Sequence, residues 1–217
     1  MFPHLLHAMK KVLLATVLAA VVLSSCETPA KQYESGARFY DAGQYETAVS
    51  YFRQAAAGGS AEAQLMLAKC YDFGRGVPKN MEEAVRWYTK AALAGNANAQ
   101  DNLGTCYATG SGVQQDFNAA FRWYTAAAQQ NDASAYNNLG LCYRNGEGVA
   151  KDDARSAACF RLAADLGNAN GQYNLGRCYY HGLGVPQDEL QARYWVSMAA
   201  RQGHENAAAF MEDNGWK

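Results

Sequence analysis

The sequence lacks most of the features by which catalytic, nucleic-acid-binding and membrane-spanning proteins are recognised. Its formal net charge is −1, so it has no basic excess of the kind that binds nucleic acid. It has only 4 prolines in 217 residues, and its alanine-rich composition favours packed helices. The serine-nucleophile patterns S-x-x-K and G-x-S-x-G and the zinc pattern H-E-x-x-H are absent. We therefore expect an all-α protein with no catalytic residues, metal or cofactor, and no nucleic-acid partner.

The apolar run near the N-terminus is too short to cross a bilayer. It extends from Val12 to Leu23, after Lys10 and Lys11, whereas a spanning helix needs about 20 apolar residues. This arrangement is typical of a targeting segment, which is excluded from the fold. The run ends in LSSC at residues 23–26, which resembles the lipobox of bacterial lipoproteins, with Cys26 as the residue that receives diacylglycerol.

The lipobox resemblance implies a signal peptide at 1–25, lipidation of Cys26 and a short tether at 26–32. It implies a bacterial cell-envelope protein held on the membrane by its N-terminal lipid anchor. Glu27, where Asp would retain a lipoprotein in the inner membrane, favours the outer membrane, facing the periplasm. The alternative is an ordinary cleaved signal with a chance cysteine. Translation could begin at Met1 or Met9.

One eight-residue stretch recurs four times with a spacing of 36 residues. CYDFGRGV begins at Cys70, CYATGSGV at Cys106, CYRNGEGV at Cys142 and CYYHGLGV at Cys178. A fixed period of this length indicates a stack of short helical repeats. The pattern predicts units at 33–59, 60–95, 96–131, 132–167 and 168–203, and a capping helix at 204–217.

Each 36-residue unit is predicted to contain two helices joined by the G-x-G-V loop. Short polar residues precede each helix and can cap it, at Ser60, Asn96, Asp132 and Asn168 for the first helices and at Asn80, Asp116, Asp152 and Asp188 for the second. The first glycine of each loop suits a helix C-cap with positive φ, at Gly74, Gly110, Gly146 and Gly182. Because these glycines follow a helix and no strand is predicted, they indicate a structural joint and not a phosphate-binding loop.

The unit A-Q-x-N-L-G-x-C-Y-x-x-G-x-G-V resembles the Sel1-like repeat, a relative of the tetratricopeptide repeat. The resemblance covers about residues 33–217 and implies a right-handed superhelical solenoid of stacked antiparallel helix pairs. The first unit, YDAGQYETAVSYFRQAA from Tyr40, lacks the G-x-G-V loop and resembles a plain tetratricopeptide unit.

The four repeated cysteines are expected to be buried. Equivalent positions in adjacent repeats lie roughly 10 Å apart, beyond disulfide reach. Cys159 is the candidate partner for Cys142 or Cys178. A cysteine-rich branch of the Sel1-like family carries a disulfide in each repeat, at positions where this sequence has Ala92, Ala128, Ala164 and Ala200.

A column is the set of equivalent positions in successive repeats, 36 residues apart. Three columns of the first helices vary between repeats, and they lie at i, i+4 and i+7, on one helical face. Because they mix Leu, Tyr, Arg and Asp, we predict a partner-binding groove rather than a merely solvated face. A neighbouring asparagine column could hold a ligand backbone, as in peptide-binding tetratricopeptide domains, or bond across to the adjacent helix. The groove prediction comprises Leu65, Lys69, Asp72, Asp101, Asn102, Thr105, Asn137, Asn138, Leu141, Arg144, Tyr173, Asn174, Arg177 and Tyr180.

These features favour a non-catalytic envelope lipoprotein whose groove binds a protein or peptide, as an adaptor or assembly scaffold. The alternative is a protein that binds β-lactams or peptidoglycan fragments with weak β-lactamase activity, as attributed to the cysteine-rich branch. The alanines that replace that branch's cysteines weaken this alternative.

Overall fold

The computed structural model describes residues 27–216, which form eleven helices and no strand. They are α1 (Pro29–Asp41), α2 (Tyr45–Ala57), α3 (Ala61–Phe73), α4 (Met81–Leu93), α5 (Ala97–Thr109), α6 (Phe117–Ala128), α7 (Ala133–Asn145), α8 (Asp153–Asp165), α9 (Ala169–His181), α10 (Glu189–Arg201) and α11 (Glu205–Asp213). The predicted all-α class is confirmed. The predicted signal peptide and Cys26 lie outside the described residues. Within 27–216 no helix is long and apolar enough to cross a membrane.

The helices pack as successive pairs, each of which contacts the next. Odd-numbered helices are the first helices of their repeats, and even-numbered helices up to α10 are the second helices. The first helices α7 and α9 also contact each other directly, whereas no pair of second helices in the described range packs as closely. At this point of the solenoid, first helices therefore lie closer together than second helices.

The chain enters its first helix earlier than the sequence predicts. Helix α1 begins at Pro29, and the Thr28 side chain caps it by accepting a hydrogen bond from the Lys31 backbone nitrogen at 3.3 Å. Proline suits a first helical turn because its φ is already helical and no N–H is needed there. The predicted tether at 26–32 is therefore wrong from residue 29 onward.

The predicted N-caps are confirmed in all four 36-residue units. Each capping side chain accepts a hydrogen bond from the backbone nitrogen three residues on, at 2.8 to 3.1 Å. His204, in the same column as Asn168, caps α11 through Nδ1, which accepts from the Ala207 nitrogen at 3.1 Å. The capping chemistry thus extends into the last helix, and the sequence analysis missed this histidine.

The CYxxGxGV stretch forms the joint between the two helices of a repeat, as predicted. In its first copy Gly74 is left-handed, with φ +69°, and donates its N–H to the Cys70 carbonyl. Arg75 donates to the same carbonyl at 2.9 Å, and Asn80 donates to the Tyr71 carbonyl at 2.9 Å. The last carbonyls of the first helix are therefore satisfied by the loop itself.

The second glycine of each joint has a role that the sequence analysis did not identify. Gly112 has φ +71° and lies on the start of the preceding repeat's second helix, where a β-carbon would overlap the Met81 carbonyl. Gly76, Gly148 and Gly184 make the equivalent approach to Tyr45, Phe117 and Asp153. This glycine allows one repeat to pack on the next.

The core consists of small and medium apolar residues contributed by each repeat. The repeated leucines Leu67, Leu103, Leu139 and Leu175 and the cysteines Cys70, Cys106, Cys142 and Cys178 are buried in it. These four cysteines and the partly buried Cys159 are free thiols. The cysteines therefore act as small apolar packing residues.

Candidate binding face on the first helices

The first-helix face is defined here by the three varying columns and the asparagine column. Most of its members are half-buried side chains at a surface, and Thr105 is exposed. Leu65, Asn137 and Asn174 are only 8%, 7% and 9% exposed. These three therefore do not line a groove, which corrects the prediction for them.

Leu65 is buried because it packs into the core between the second and third repeats, beside Tyr88 and Leu103. Helical spacing places Leu65 on the varying face, but α4 and α5 cover that position. A leucine has no polar group to satisfy, so this burial is favourable.

The asparagines join successive first helices directly. Asn138 donates from Nδ2 to Asp101 Oδ1 at 2.8 Å, and Asn174 donates from Nδ2 to Asn137 Oδ1 at 2.9 Å. Both bonds cross from one repeat to the next. The cross-helix alternative is therefore the one observed for Asn138 and Asn174. Asn102 differs, since it donates to the Asn98 carbonyl of its own helix at 2.7 Å.

Second-helix tyrosines reach the first-helix face through the core. The Tyr88 hydroxyl donates to Asp72 Oδ2 at 3.1 Å, and the Tyr124 hydroxyl donates to Thr105 Oγ1 at 3.2 Å. The sequence analysis missed these contacts. The signal was the Tyr88, Tyr124, Phe160 column, whose two hydroxyls need polar partners once the rings are buried.

The carboxyl group of Asp101 lies in a partly dehydrated part of the face. Its pKa is raised to about 6, mainly by burial. The hydrogen bond from Asn138 lowers the pKa, and the charge of Asp132 raises it. Burial therefore shifts the titration of Asp101 upward, toward pH 6.

The last two repeats contribute arginines. Arg144 donates from Nη1 to Asn174 Oδ1 at 3.3 Å, and its guanidinium carbon lies 5.6 Å from the centre of the Phe160 ring. The guanidinium carbon of Arg177 lies 5.7 Å from the centre of the Tyr173 ring. Burial, and secondarily the positive charge of Arg177, lower the pKa of Arg144.

Tyr173 and Tyr180 hold the last helix in place. Tyr173 packs on His204 with ring centres 4.7 Å apart, and the Tyr180 hydroxyl donates to Asn214 Oδ1 at 2.7 Å. Tyr180 also makes edge contacts with Phe210 and Trp216. Both tyrosines therefore have a structural role at the C-terminal cap. Lys69 and Leu141 complete the half-exposed surface.

The cysteines are poorly suited to nucleophilic chemistry. Burial raises the pKa of the Cys70, Cys106, Cys159 and Cys178 thiols to about 11 and that of Cys142 to about 12. A thiolate, not a thiol, is the reactive form. Within residues 27–216 no cluster of His, Cys, Asp and Glu could hold a metal ion.

Comparison with known proteins matches the chain to the Sel1 repeat at residues 32–60, 61–96, 97–132, 133–168 and 169–204. The first match includes the unit that lacks the G-x-G-V loop. A Sel1 repeat protein from Oxalobacter formigenes has a solved structure with 37% identity and a TM-score of 0.79, over 83% of this chain and 73% of that one. A search of curated proteins finds no match.

A second solved structure is that of c5321, described as a protective antigen present in uropathogenic Escherichia coli strains and displaying an SLR fold. It is 34% identical, with a TM-score of 0.76, and the alignment covers 86% of this chain and 42% of that longer protein. Sel1 repeats are generally non-catalytic scaffolds for protein–protein interaction. With five matched repeats and these structural relatives, the chain belongs to the Sel1 repeat family.

Proposed function

We propose that this protein is a non-catalytic lipoprotein of the bacterial envelope that binds a protein or peptide partner along the first-helix face. The observation that carries this proposal is the composition of that face. Successive first helices carry the half-buried Asp101, Leu141, Arg144 and Arg177 on one face, a mixture of charged and apolar groups that differs from repeat to repeat. Such a surface offers a partner both specificity and apolar contact.

Partner capture from detergent-solubilised envelopes tests the binding face. Arg177→Ala should weaken capture by about 2 kcal/mol if Arg177 is an interface hot spot. Arg122→Ala is the matched control, because Arg122 is exposed on the second helix α6. Equal loss in both variants, or a larger loss in the control, would place the binding surface elsewhere.

The lipid anchor is supported by the apolar run and the lipobox at residues 23–26. A lipoprotein with two or three acyl chains stays on the membrane, whereas one chain binds only marginally. Cys26→Ala should abolish labelling by a palmitate analogue and release the protein from membranes, and Cys159→Ala should do neither. Equal labelling of the wild type and Cys26→Ala would refute the anchor.

A further inference from the structure

Two arginines from adjacent repeats, Arg144 and Arg177, both lie next to Asn174 on the first-helix face. Arg144 lies in the last turn of α7 and reaches across to the Asn174 side chain of α9. Arg177 follows Asn174 by three residues, so it lies on the same face of α9 one turn away. The charge of Arg177 acts on Arg144 strongly enough to lower its pKa, in addition to the effect of burial.

Among residues 27–216, neither arginine forms an ion pair with a carboxylate. The ion pairs among residues 27–216 involve Arg86, Lys151 and Arg155, and neither Arg144 nor Arg177 takes part in one. The carboxylate of Glu147 raises the pKa of Arg144, but it is the weakest of the contributions. Glu147 Oε1 accepts a hydrogen bond from Asn145.

A half-buried guanidinium that lacks an anion is an unfavourable arrangement. It loses hydration, and the contact of Arg144 with the Phe160 ring replaces only part of what an anion would supply. The hydrogen bond that the described residues give Arg144 goes to a neutral amide oxygen at 3.3 Å. Arginine presents several N–H donors in a planar fork that matches a carboxylate, and such charge-assisted bonds are about twice as strong as neutral ones.

The surroundings favour an acidic side chain of a peptide. Leu141 and Tyr173 are half-exposed beside the arginines and offer apolar contact to the residues that flank a carboxylate. Asp101 and Asp72 lie on earlier repeats of the same face and would repel further negative charge. Asp213 occupies the next position of the Arg177 column, on α11, and limits the basic region on the other side.

We propose that Arg144 and Arg177 form a carboxylate-binding subsite that takes one aspartate or glutamate side chain from an extended segment of the partner. This inference rests on the proposed function and specifies the chemistry of the partner. It predicts that a bound segment has one acidic residue over α7 and α9 and neutral or basic residues over α3 and α5.

Synthetic peptides can test the subsite without the natural partner. The probes are fluorescein-labelled peptides with amidated C-termini, in which a central Glu is flanked by Leu, Tyr and Ala. An otherwise identical set carries Gln in place of Glu. Fluorescence anisotropy with the full chain should show about tenfold tighter binding of the Glu set, equivalent to about 1.4 kcal/mol. The preference should weaken as salt is added, because charge screening increases.

Variants assign the preference to the two arginines. Arg144→Gln combined with Arg177→Gln should bind the Glu and Gln sets alike, whereas Arg122→Gln should keep the wild-type preference. Arg177→Glu should prefer peptides with a central Lys, and this gain would show that the variant is folded. Melting curves confirm the fold of each protein.

The other outcomes separate this inference from the proposed function. Equal binding of the Glu and Gln sets would overturn the subsite while leaving a peptide-binding face intact. Binding of the same peptides with phosphoserine in place of Glu, without binding of the Glu set, would also overturn it, in favour of a phosphate ligand. If no peptide is retained, the subsite is overturned, and the proposed function then depends on the Arg177→Ala capture experiment alone.

Discussion

Replacing Gly112 by alanine should destabilise the protein more than replacing Gly110, although both glycines have nearly the same positive φ. Gly110 has φ +72° and Gly112 has φ +71°. A non-glycine residue in this region costs about 1–2 kcal/mol, and the loss of freedom in the unfolded chain returns about 0.4–1 kcal/mol. The backbone term alone therefore gives a net loss of about 1 kcal/mol at either position.

The two glycines differ in what a side chain would meet. A β-carbon at Gly110 would lie 3.4 Å from Gln115 Cβ, an ordinary contact. One at Gly112 would overlap the Met81 carbonyl of the preceding repeat, and an overlap with backbone must move the joint. Overpacking of this kind costs a further 1–3 kcal/mol, roughly. We expect Gly112→Ala to lose about 2–4 kcal/mol in total.

Urea denaturation followed by circular dichroism measures this difference. Gly95→Ala is the control for the backbone term, because Gly95 has φ +89° with no neighbouring atom within 4 Å of a β-carbon. It should behave like Gly110→Ala. If thermal unfolding is used instead, each kcal/mol corresponds to about 2–4 °C in Tm for a protein of this size. Equal midpoints for Gly112→Ala and Gly110→Ala, with unchanged m-values, would refute the role given to the second glycine.

Three further results are expected. Because the pKa of Asp101 is raised from 3.8 to about 6, the folded state binds more protons than the unfolded state between these pH values. Stability should therefore fall as the pH rises from about 4 to 6. Chemical denaturation of Asp101→Asn at each pH should lack this contribution. Iodoacetamide at pH 8 should alkylate Cys159 before the buried Cys106, and mass spectrometry that finds Cys106 modified first in the native state would contradict its burial. Asp132→Ala should cost about 1 kcal/mol in thermal unfolding through loss of the α7 N-cap, and a cost near zero would mean that the cap contributes nothing.

The helix ends could be predicted from the sequence because their chemistry is local. A capping side chain bonds a backbone nitrogen three residues away, so Asn96 and Asp116 reveal their roles without any knowledge of the fold. The first glycine of each joint is likewise defined by its own helix. The second glycine cannot be predicted in this way, because it is required by the close approach of the backbone of another repeat.

The first-helix face could be predicted only in part. Helical spacing identifies which positions share a face, but the burial of Leu65 depends on its packing against α4 and α5, which the spacing does not reveal. The bonds from Asn138 to Asp101 and from Asn174 to Asn137 connect residues 37 apart, between adjacent columns rather than along one. A search for equivalent positions 36 residues apart does not reveal such pairs.

The role of Tyr173 shows the same limit. Its place in a varying column suggests a free aromatic side chain. The Tyr173 ring instead packs on His204, which precedes α11, and on Phe210 of α11. The terminal unit diverges from the repeat, so its packing cannot be inferred from the other copies. Tyr173→Ala is consequently a test of the cap as much as of binding.

The most direct measurement of the central proposal is site-specific photo-crosslinking in intact envelopes. A photoreactive residue is placed at Thr105, which is exposed on the first-helix face, or at Arg122, which is exposed on the second helix of the same repeat. If the first-helix face binds the partner, a crosslinked adduct forms from position 105 and not from position 122. An adduct from position 122 alone would contradict the account.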